Sequence, residues 1–401
     1  MDKVKRQVLL SCVGMLALVV VNAHAADTSY YRRYQQLTYQ LEQDPHLILP
    51  QIEQFQLQVA NAGTKAKQMA AYLHLQACTA LERDICTVHQ AELLLDLPGQ
   101  EESKPALMKL TVQLYYRLQR YSDVIRQSEH WLSMPSQTSL SDRAMIFTLQ
   151  AKSFYQLQTL VSAQQSIEQA LVLEVDESRY RFLLALLQQT KQLTAENTLL
   201  QLLTEKYINN PLYWERLAYS WYELDKPEQA LNVFGSAYKS RLLPLRSLLF
   251  YSQLLIQQQA PNRAVQILEK EADKFTPQAV KYCSECDASK YRQLLIQAYL
   301  MAERKSEALA LLEKKVDKTN EQLMISSQLA YSQARWHLAI ELLQRQIKQQ
   351  PRNDYWRLLL AVSYFENKDY IHARKQFRLI KQSQYMKTAQ DWLAQIDYLL
   401  S

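Results

Sequence analysis

Residues Pro211–Arg241, PLYWERLAYSWYELDKPEQALNVFGSAYKSR, decide the fold of this chain. Apolar and aromatic side chains in the first half of this stretch stand at Trp214, Leu217, Ala218 and Trp221. Their spacing of i, i+3, i+4 and i+7 is that of one face of an α-helix. Pro227 then suits the first turn of a second helix. The apolar face of that second helix continues at Ala230, Phe234 and Ala237. The stretch therefore predicts two helices joined by a short turn.

The small residue that opens the second apolar face recurs along the chain. These markers are Ala163, Ala230, Ala264, Ala308, Ala339 and Ala373, and the residue four positions after each is apolar. The steps from Ala230 to Ala264 and from Ala339 to Ala373 are both 34 residues. The long step that starts at Ala163 leaves room for one degenerate unit, expected around Ala195. A small side chain lets two helices approach closely, so the markers predict a series of tightly packed helix pairs.

A period of 34 residues is that of the tetratricopeptide repeat. Pro211–Arg241 also resembles the pattern of that superfamily, with an aromatic, Leu, a small residue and an aromatic, then Ala, Phe and Ala. The resemblance covers most of residues 141–383. It implies an all-α fold, a helix-turn-helix solenoid in which antiparallel helix pairs form a superhelical array.

The predicted organisation has four parts. Residues 1–25 are a signal peptide, 26–140 a degenerate helical-hairpin region, 141–383 the repeat array, and 384–401 a C-terminal capping helix. A cap is expected because the last apolar face of a stacked array has no neighbouring repeat.

The N-terminus has the three parts of a secretory signal. Lys3, Lys5 and Arg6 precede an apolar run from Val8 to Val21, and Ala23-His24-Ala25 offers small residues for cleavage after Ala25. The run is shorter than the roughly 20 apolar residues of a transmembrane anchor. A lipoprotein with Cys12 as its lipidated residue is a further alternative, but Cys12 comes too early in the apolar run. We therefore expect a periplasmic protein with no integral membrane segment after signal removal.

Composition argues against most catalytic and nucleic-acid-binding classes. The whole chain has four glycines, whereas phosphate-binding loops and nucleophile elbows need them in clusters. The net charge of +6 is mild for 401 residues, so nucleic acid is not an expected partner. The sequence predicts no enzyme, no cofactor and no metal site. A peptidoglycan-active enzyme with a helical solenoid remains a distant alternative.

Four cysteines follow the signal segment. Cys283 and Cys286 are three residues apart, and a turn could bridge them; a redox or metal site is the alternative. Cys78 and Cys86 would face each other if a helix hairpin turned at residues 81–84. An exported protein favours disulfides at both pairs.

The C-terminal half carries a narrower resemblance. Asn210–Leu243, Tyr251–Lys270, Lys368–Phe377 and Ala389–Asp397 look like segments of the periplasmic repeat proteins associated with TonB–ExbB–ExbD systems. This likeness implies a scaffold whose partners are cell-envelope proteins, among them components of a TonB-dependent uptake system. A scaffold for another envelope assembly, such as secretion or pilus biogenesis, is the alternative.

The first helices of such arrays line the partner-binding groove. The candidate groove residues are Glu215, Tyr219, Tyr222, Gln253, Gln257, Gln293, Gln297 and Tyr355. Tyrosine favours interfaces because it joins a large apolar ring to a hydrogen-bonding tip. Solvated helix faces are the alternative for each of these residues.

Overall fold

A computed structural model describes residues 25–99, 101–134, 138–276, 287–313 and 319–400. The predicted signal segment and the pair Cys283 and Cys286 lie outside these residues, except that Ala25 begins the first helix. The described part contains 21 α-helices, one 3₁₀ turn and no strand. The predicted all-α fold is confirmed. None of the described helices has the length and hydropathy that crossing a bilayer requires.

The chain divides into two compact units, the first ending at Glu196 and the second beginning at Asn197. The helices that begin in the first unit are α1 Ala25–Gln43, α2 Pro45–Gln58, α3 Thr64–Ala80, α4 Asp84–Asp96, α5 Lys104–Arg117, α6 Tyr121–Leu132, α7 Leu140–Gln156, α8 Leu160–Leu173, α9 Glu177–Gln189 and α10 Leu193–Lys206. Its core includes Phe55 and Trp131, each 1% exposed. The Trp131 indole N–H donates to the carbonyl of Pro105 at 2.7 Å, so this large side chain is buried without an unpaired donor.

The second unit contains eleven further described helices. They are α11 Pro211–Glu223, α12 Pro227–Lys239, α13 Leu245–Gln257, α14 Pro261–Lys270, α15 Ala288–Met301, α16 Lys305–Glu313, α17 Asn320–Ser332, α18 Trp336–Gln349, α19 Asp354–Glu366, α20 Tyr370–Arg378 and α21 Ser383–Leu400. One apolar cluster runs through this unit from Ala218 to Ile396. Each helix pair thus contributes to a core that is shared with its neighbours, as stacked repeats require.

The turns inside the nine helix pairs from α3–α4 to α19–α20 share one backbone feature. One residue with positive φ stands in each of nine described turns, at Glu82, Gln119, Gln158, Lys191, Asp225, Gln259, Glu303, Ala334 and Lys368. At Asp225, its own N–H donates to the Tyr222 carbonyl, and the next N–H, from Lys226, donates to the Trp221 carbonyl, both at 3.0 Å. These two bonds satisfy carbonyls that the ending helix leaves free. The positive-φ residue therefore marks the register of these nine pairs, and a further one, Arg241, lies between α12 and α13.

The predicted markers occupy one position in this register. Ala163, Ala230, Ala264, Ala308, Ala339 and Ala373 each follow the positive-φ residue by five positions, and each is fully buried. The residues four positions further on are also buried, at Ile167, Phe234, Leu268, Leu312, Leu343 and Phe377. The predicted tight packing of the second helices is confirmed.

The degenerate unit is displaced by one residue from its expected centre. Ala195 is exposed, and Glu196, five positions after Lys191, is buried in its place. Gln188 Nε2 donates to the Glu196 carboxylate at 2.6 Å, which lets an acidic side chain take a position that alanine fills elsewhere. The same register continues upstream through Thr87 and Val124, both buried.

Helix α21 packs on the last repeat pair. The Trp392 ring stacks on Phe377 with centroids 6.0 Å apart, and Ile396 is fully buried. Before the helix begins, the backbone N–H groups of Lys381 and Gln382 donate to the buried Asp354 carboxylate at 2.7 and 2.8 Å. These contacts hold the segment that leads into α21 against the start of α19.

The positive φ of Ala334 leads to a prediction about the stability of the fold. This residue is exposed and has φ of 55°, a conformation that costs an L-residue roughly 1–2 kcal/mol and glycine almost nothing. We expect Ala334→Gly to raise the free energy of unfolding by about 0.5–1 kcal/mol, after the larger entropy of the unfolded glycine is subtracted. Urea unfolding followed by circular dichroism measures the change.

The matched control is Ala310→Gly. Ala310 is also exposed, but it lies within α16, where glycine costs about 1 kcal/mol relative to alanine. A higher free energy of unfolding for Ala334→Gly together with a lower one for Ala310→Gly would support the positive φ at Ala334. A loss of stability at both would contradict it.

Candidate partner-binding surface

Three of the predicted groove residues occupy one position in the repeat register. Tyr219, Gln253 and Gln297 each precede the positive-φ residue of their turn by six positions. Gln328 stands at the same position before Ala334 and is exposed. We call Tyr219, Gln253, Gln297 and Gln328 the first-helix row. Residues at equivalent positions of stacked repeats recur along one side of an array, so the row is a candidate surface for an elongated ligand.

Glutamine side chains form most of this row. Gln253 is half-buried, whereas Gln297 and Gln328 are exposed. Each amide has two N–H donors and a carbonyl acceptor, which is the combination that the peptide backbone of a partner would need. The alanine markers alone do not point to Gln328, which is found by counting six positions back from the turn residue Ala334.

An aromatic cluster stands at the N-terminal end of the row. The Tyr219 ring lies 4.9 Å from Phe250 and 5.6 Å from Phe234, measured between centroids. Tyr222 packs edge-on to Phe250 at 5.1 Å and is 40% exposed. Burial raises the pKa of the Tyr219 hydroxyl above its usual value. Tyr219 is therefore largely a packing residue, and Tyr222 is the ring that a partner can cover.

Glu215 is buried beneath this cluster. Its carboxylate accepts two hydrogen bonds from the Arg246 guanidinium, one of them at 2.7 Å, and another from the Ser247 hydroxyl. Burial would raise the pKa of Glu215, but the hydrogen bonds from Arg246 and Ser247 outweigh it and hold the pKa below its usual value. The pair joins α11 to α13, and the Ser247 hydroxyl that donates to Glu215 also lies 3.5 Å from the Tyr219 hydroxyl.

The remaining predicted groove residues lie on the same set of first helices. Gln257 and Gln293 are exposed. Tyr355 is half-buried, and its ring lies 4.9 Å from Trp356 and 6.3 Å from Tyr385. Beside it is a shallow open pocket of about 580 Å³ lined by Gln350, Pro351, Arg352, Asn353, Gln382, Gln384 and Tyr385. Polar and apolar surface contribute equally to this lining, whereas typical small-molecule sites are enclosed and predominantly apolar.

Cys78 and Cys86 are joined by a disulfide between α3 and α4. Their Cα atoms are 5.8 Å apart, within the range that a bridge requires. The turn around Glu82 places them opposite each other, in agreement with the hairpin expected at residues 81–84.

Comparison with known proteins gives a family match for the C-terminal repeats. The tetratricopeptide repeat model matches residues 327–385, which includes α18, α19 and α20. A comparison with curated proteins finds no match.

Comparison with solved structures also gives matches. The structure of Naa15/Naa10 bound to HypK-THB is 12% identical with a TM-score of 0.44, and the match covers 78% of this chain and 63% of that one. A tetratricopeptide repeat protein from Parabacteroides merdae is 14% identical, with a TM-score of 0.33 and coverage of 63% and 98%. Yeast Tom70 is 12% identical, with a TM-score of 0.28 and coverage of 99% and 97%.

The family match and the hairpin register complement each other. The match is confined to residues 327–385, and the same turn conformation recurs from Glu82 to Lys368. On these two findings, residues 327–385 carry tetratricopeptide repeats, and the helix pairs upstream of them share the same turn conformation.

Proposed function

We propose that this chain is a periplasmic scaffold that binds an extended segment of a partner protein along the first-helix row, as an accessory component of TonB-dependent uptake. The observation that carries the proposal is the row itself, in which glutamine amides repeat at one register position beside the exposed Tyr222. Tetratricopeptide repeats bind protein partners on their first helices.

The chemistry of the row suits an extended polypeptide. Each glutamine amide of the row can donate to a backbone carbonyl of the partner or accept from one of its N–H groups. The Tyr222 ring adds an apolar contact at one end.

The assignment to TonB-dependent uptake rests on sequence. Asn210–Leu243 and Ala389–Asp397 are similar to the periplasmic repeat proteins of those systems, and the N-terminal residues have the pattern of an export signal. Both features favour the same compartment. A fold of this kind serves many assemblies, so the system must be identified by its partners.

Tyr222→Ala tests the surface without opening the core. Because Tyr222 is 40% exposed, its removal should leave the fold intact, and the loss of an interfacial aromatic of this kind costs about 1–2 kcal/mol of binding. We expect recovery of TonB-system proteins with the tagged chain to fall about tenfold. Tyr398→Ala is the matched control, because Tyr398 is 81% exposed on α21, which carries no residue of the row. This variant should recover the same amount of partner protein as the wild type.

A deletion strain tests the physiological assignment. We expect slower growth on an iron source that TonB-dependent receptors import, with the general integrity of the envelope unchanged. If uptake is normal and the partners lost with Tyr222→Ala belong to a secretion or pilus system, the TonB assignment is wrong and the scaffold function remains.

A further inference from the structure

Three side chains in the first unit bring potential metal ligands together, outside the surface described above. His74 and Cys78 are four residues apart on α3, which places them on one face of that helix. The hairpin then brings Cys86, in the first turn of α4, against them. One ring nitrogen of His74 and the two sulfur atoms all lie within 4.8 Å of one another.

A chain of amides fixes the orientation of the His74 ring. Gln56 Nε2 donates to Gln90 Oε1 at 2.8 Å, so the Gln56 carbonyl oxygen is the atom that meets His74 Nδ1. A carbonyl oxygen can only accept, and Nδ1 therefore carries the hydrogen. The lone pair is on Nε2, which lies 3.5 Å from the Cys86 sulfur. His74 is 7% exposed, and the disulfide has no hydrogen to donate to this lone pair.

We propose that, when the Cys78–Cys86 disulfide is reduced, His74 Nε2 and the two cysteine sulfurs bind one thiophilic closed-shell cation, Cu⁺ or Zn²⁺. Thiolate and imidazole are the ligands that these ions prefer. A metal-binding histidine typically donates its other ring N–H to a carbonyl or carboxylate, and Gln56 supplies such a carbonyl. Three ligands suffice for Cu⁺, whereas Zn²⁺ would take a water as its fourth ligand, on the side where Cys86 is half-buried.

The disulfide and the bound ion exclude each other. Reduction adds two electrons and two protons to the disulfide and gives two thiols. With a water-soluble trialkylphosphine as the reductant, one water supplies the two protons, and its oxygen ends on the phosphine oxide. Binding then releases the two thiol protons to solvent as the sulfurs become metal-bound thiolates. Oxidation of the chain should therefore expel the ion.

The test uses the full chain with Cys12, Cys283 and Cys286 replaced by serine, so that only the proposed site has thiols. After phosphine reduction, the protein is titrated with Zn²⁺, or with Cu⁺ against a chromophoric competitor. We expect one ion per chain, and the affinity ratio of the two titrations identifies the favoured ion. Gln56→Ala should weaken binding about 10–100-fold, as the loss of such an outer hydrogen bond does. His74→Ala should weaken it further.

His130→Ala is the matched control, because His130 is exposed on α6, outside the hairpin that holds the site, and should not affect affinity. Circular dichroism checks that each variant is folded. A second readout needs no variant at the ligands: the bound ion should protect both remaining cysteines from alkylation, measured by mass spectrometry. The proposal is overturned if the reduced chain binds no ion more tightly than His74→Ala does, or if alkylation is equally fast with and without the ion.

Discussion

Replacing Phe234 by alanine is expected to lower the free energy of unfolding of the second unit by about 3–5 kcal/mol. Phe234 is fully buried, four residues after the marker Ala230. Its ring lies 5.6, 5.8 and 5.7 Å from Tyr219, Phe250 and Tyr251, respectively. Alanine would leave a cavity among three aromatic rings that belong to two helices, α11 and α13, and rigid neighbours of this kind collapse poorly into the space.

Urea unfolding followed by circular dichroism measures this loss. Tyr398→Ala is the control, because substitution of an exposed side chain usually changes stability by less than about 0.5 kcal/mol. A cost below about 1 kcal/mol for Phe234→Ala would be too small for a filled core position, and it would contradict the packing described for α11–α13.

The second large effect is expected at Glu215. Glu215→Ala removes the acceptor of both Arg246 and the fully buried Ser247. Loss of hydrogen bonds to a charged group typically costs about 1.5–3 kcal/mol, and we expect a value in this range. Arg246→Ala should also lower the free energy of unfolding, because it leaves the buried Glu215 carboxylate with its bond from Ser247 but without its counter-charge. Wild-type stability of both variants would contradict the role of this pair.

The same pair predicts a pH dependence. The pKa of Glu215 is lowered in the folded chain from its ordinary value of 4.5. Its contribution to stability is therefore present above pH 4.5 and is lost as the pH falls through the lower, folded-state pKa. Glu215→Gln cannot ionise, so the stability difference between wild type and Glu215→Gln should narrow below pH 4.5. A difference that stays constant in that range would contradict the role of the charge.

The fold was predictable because the repeat places small residues at a regular step. Ala230 and Ala264 revealed the period, and both are fully buried. The upstream units gave only a degenerate repeat pattern because Thr87 and Val124 take the alanine position there, and neither is as small as alanine. At the same position in the degenerate unit, the buried Glu196 carboxylate accepts a hydrogen bond from Gln188. Only a three-dimensional structure shows that bond.

The candidate surface was predictable in part. Helical spacing in the sequence selected the first helices on which the row lies. The burial of each candidate side chain, however, depends on partners that are distant in sequence. Glu215 is buried because Arg246, which is 31 residues away, neutralises it. Gln328 could be located only by counting back from the positive-φ residue of its turn, which the structure shows. The spacing of His74 and Cys78 by four residues was visible in the sequence, but the contribution of Gln56 depends on how α2 packs on α3.

Site-specific photo-crosslinking tests the central claim, that a partner binds along the first-helix row. A photoreactive phenylalanine analogue replaces Gln297 or Gln328, and as a control Gln266, which is exposed on the second helix α14. Irradiation of living cells should give an adduct with the same partner from both row positions and no adduct from Gln266. Crosslinking from Gln266 alone, with none from either row position, would contradict the proposed surface.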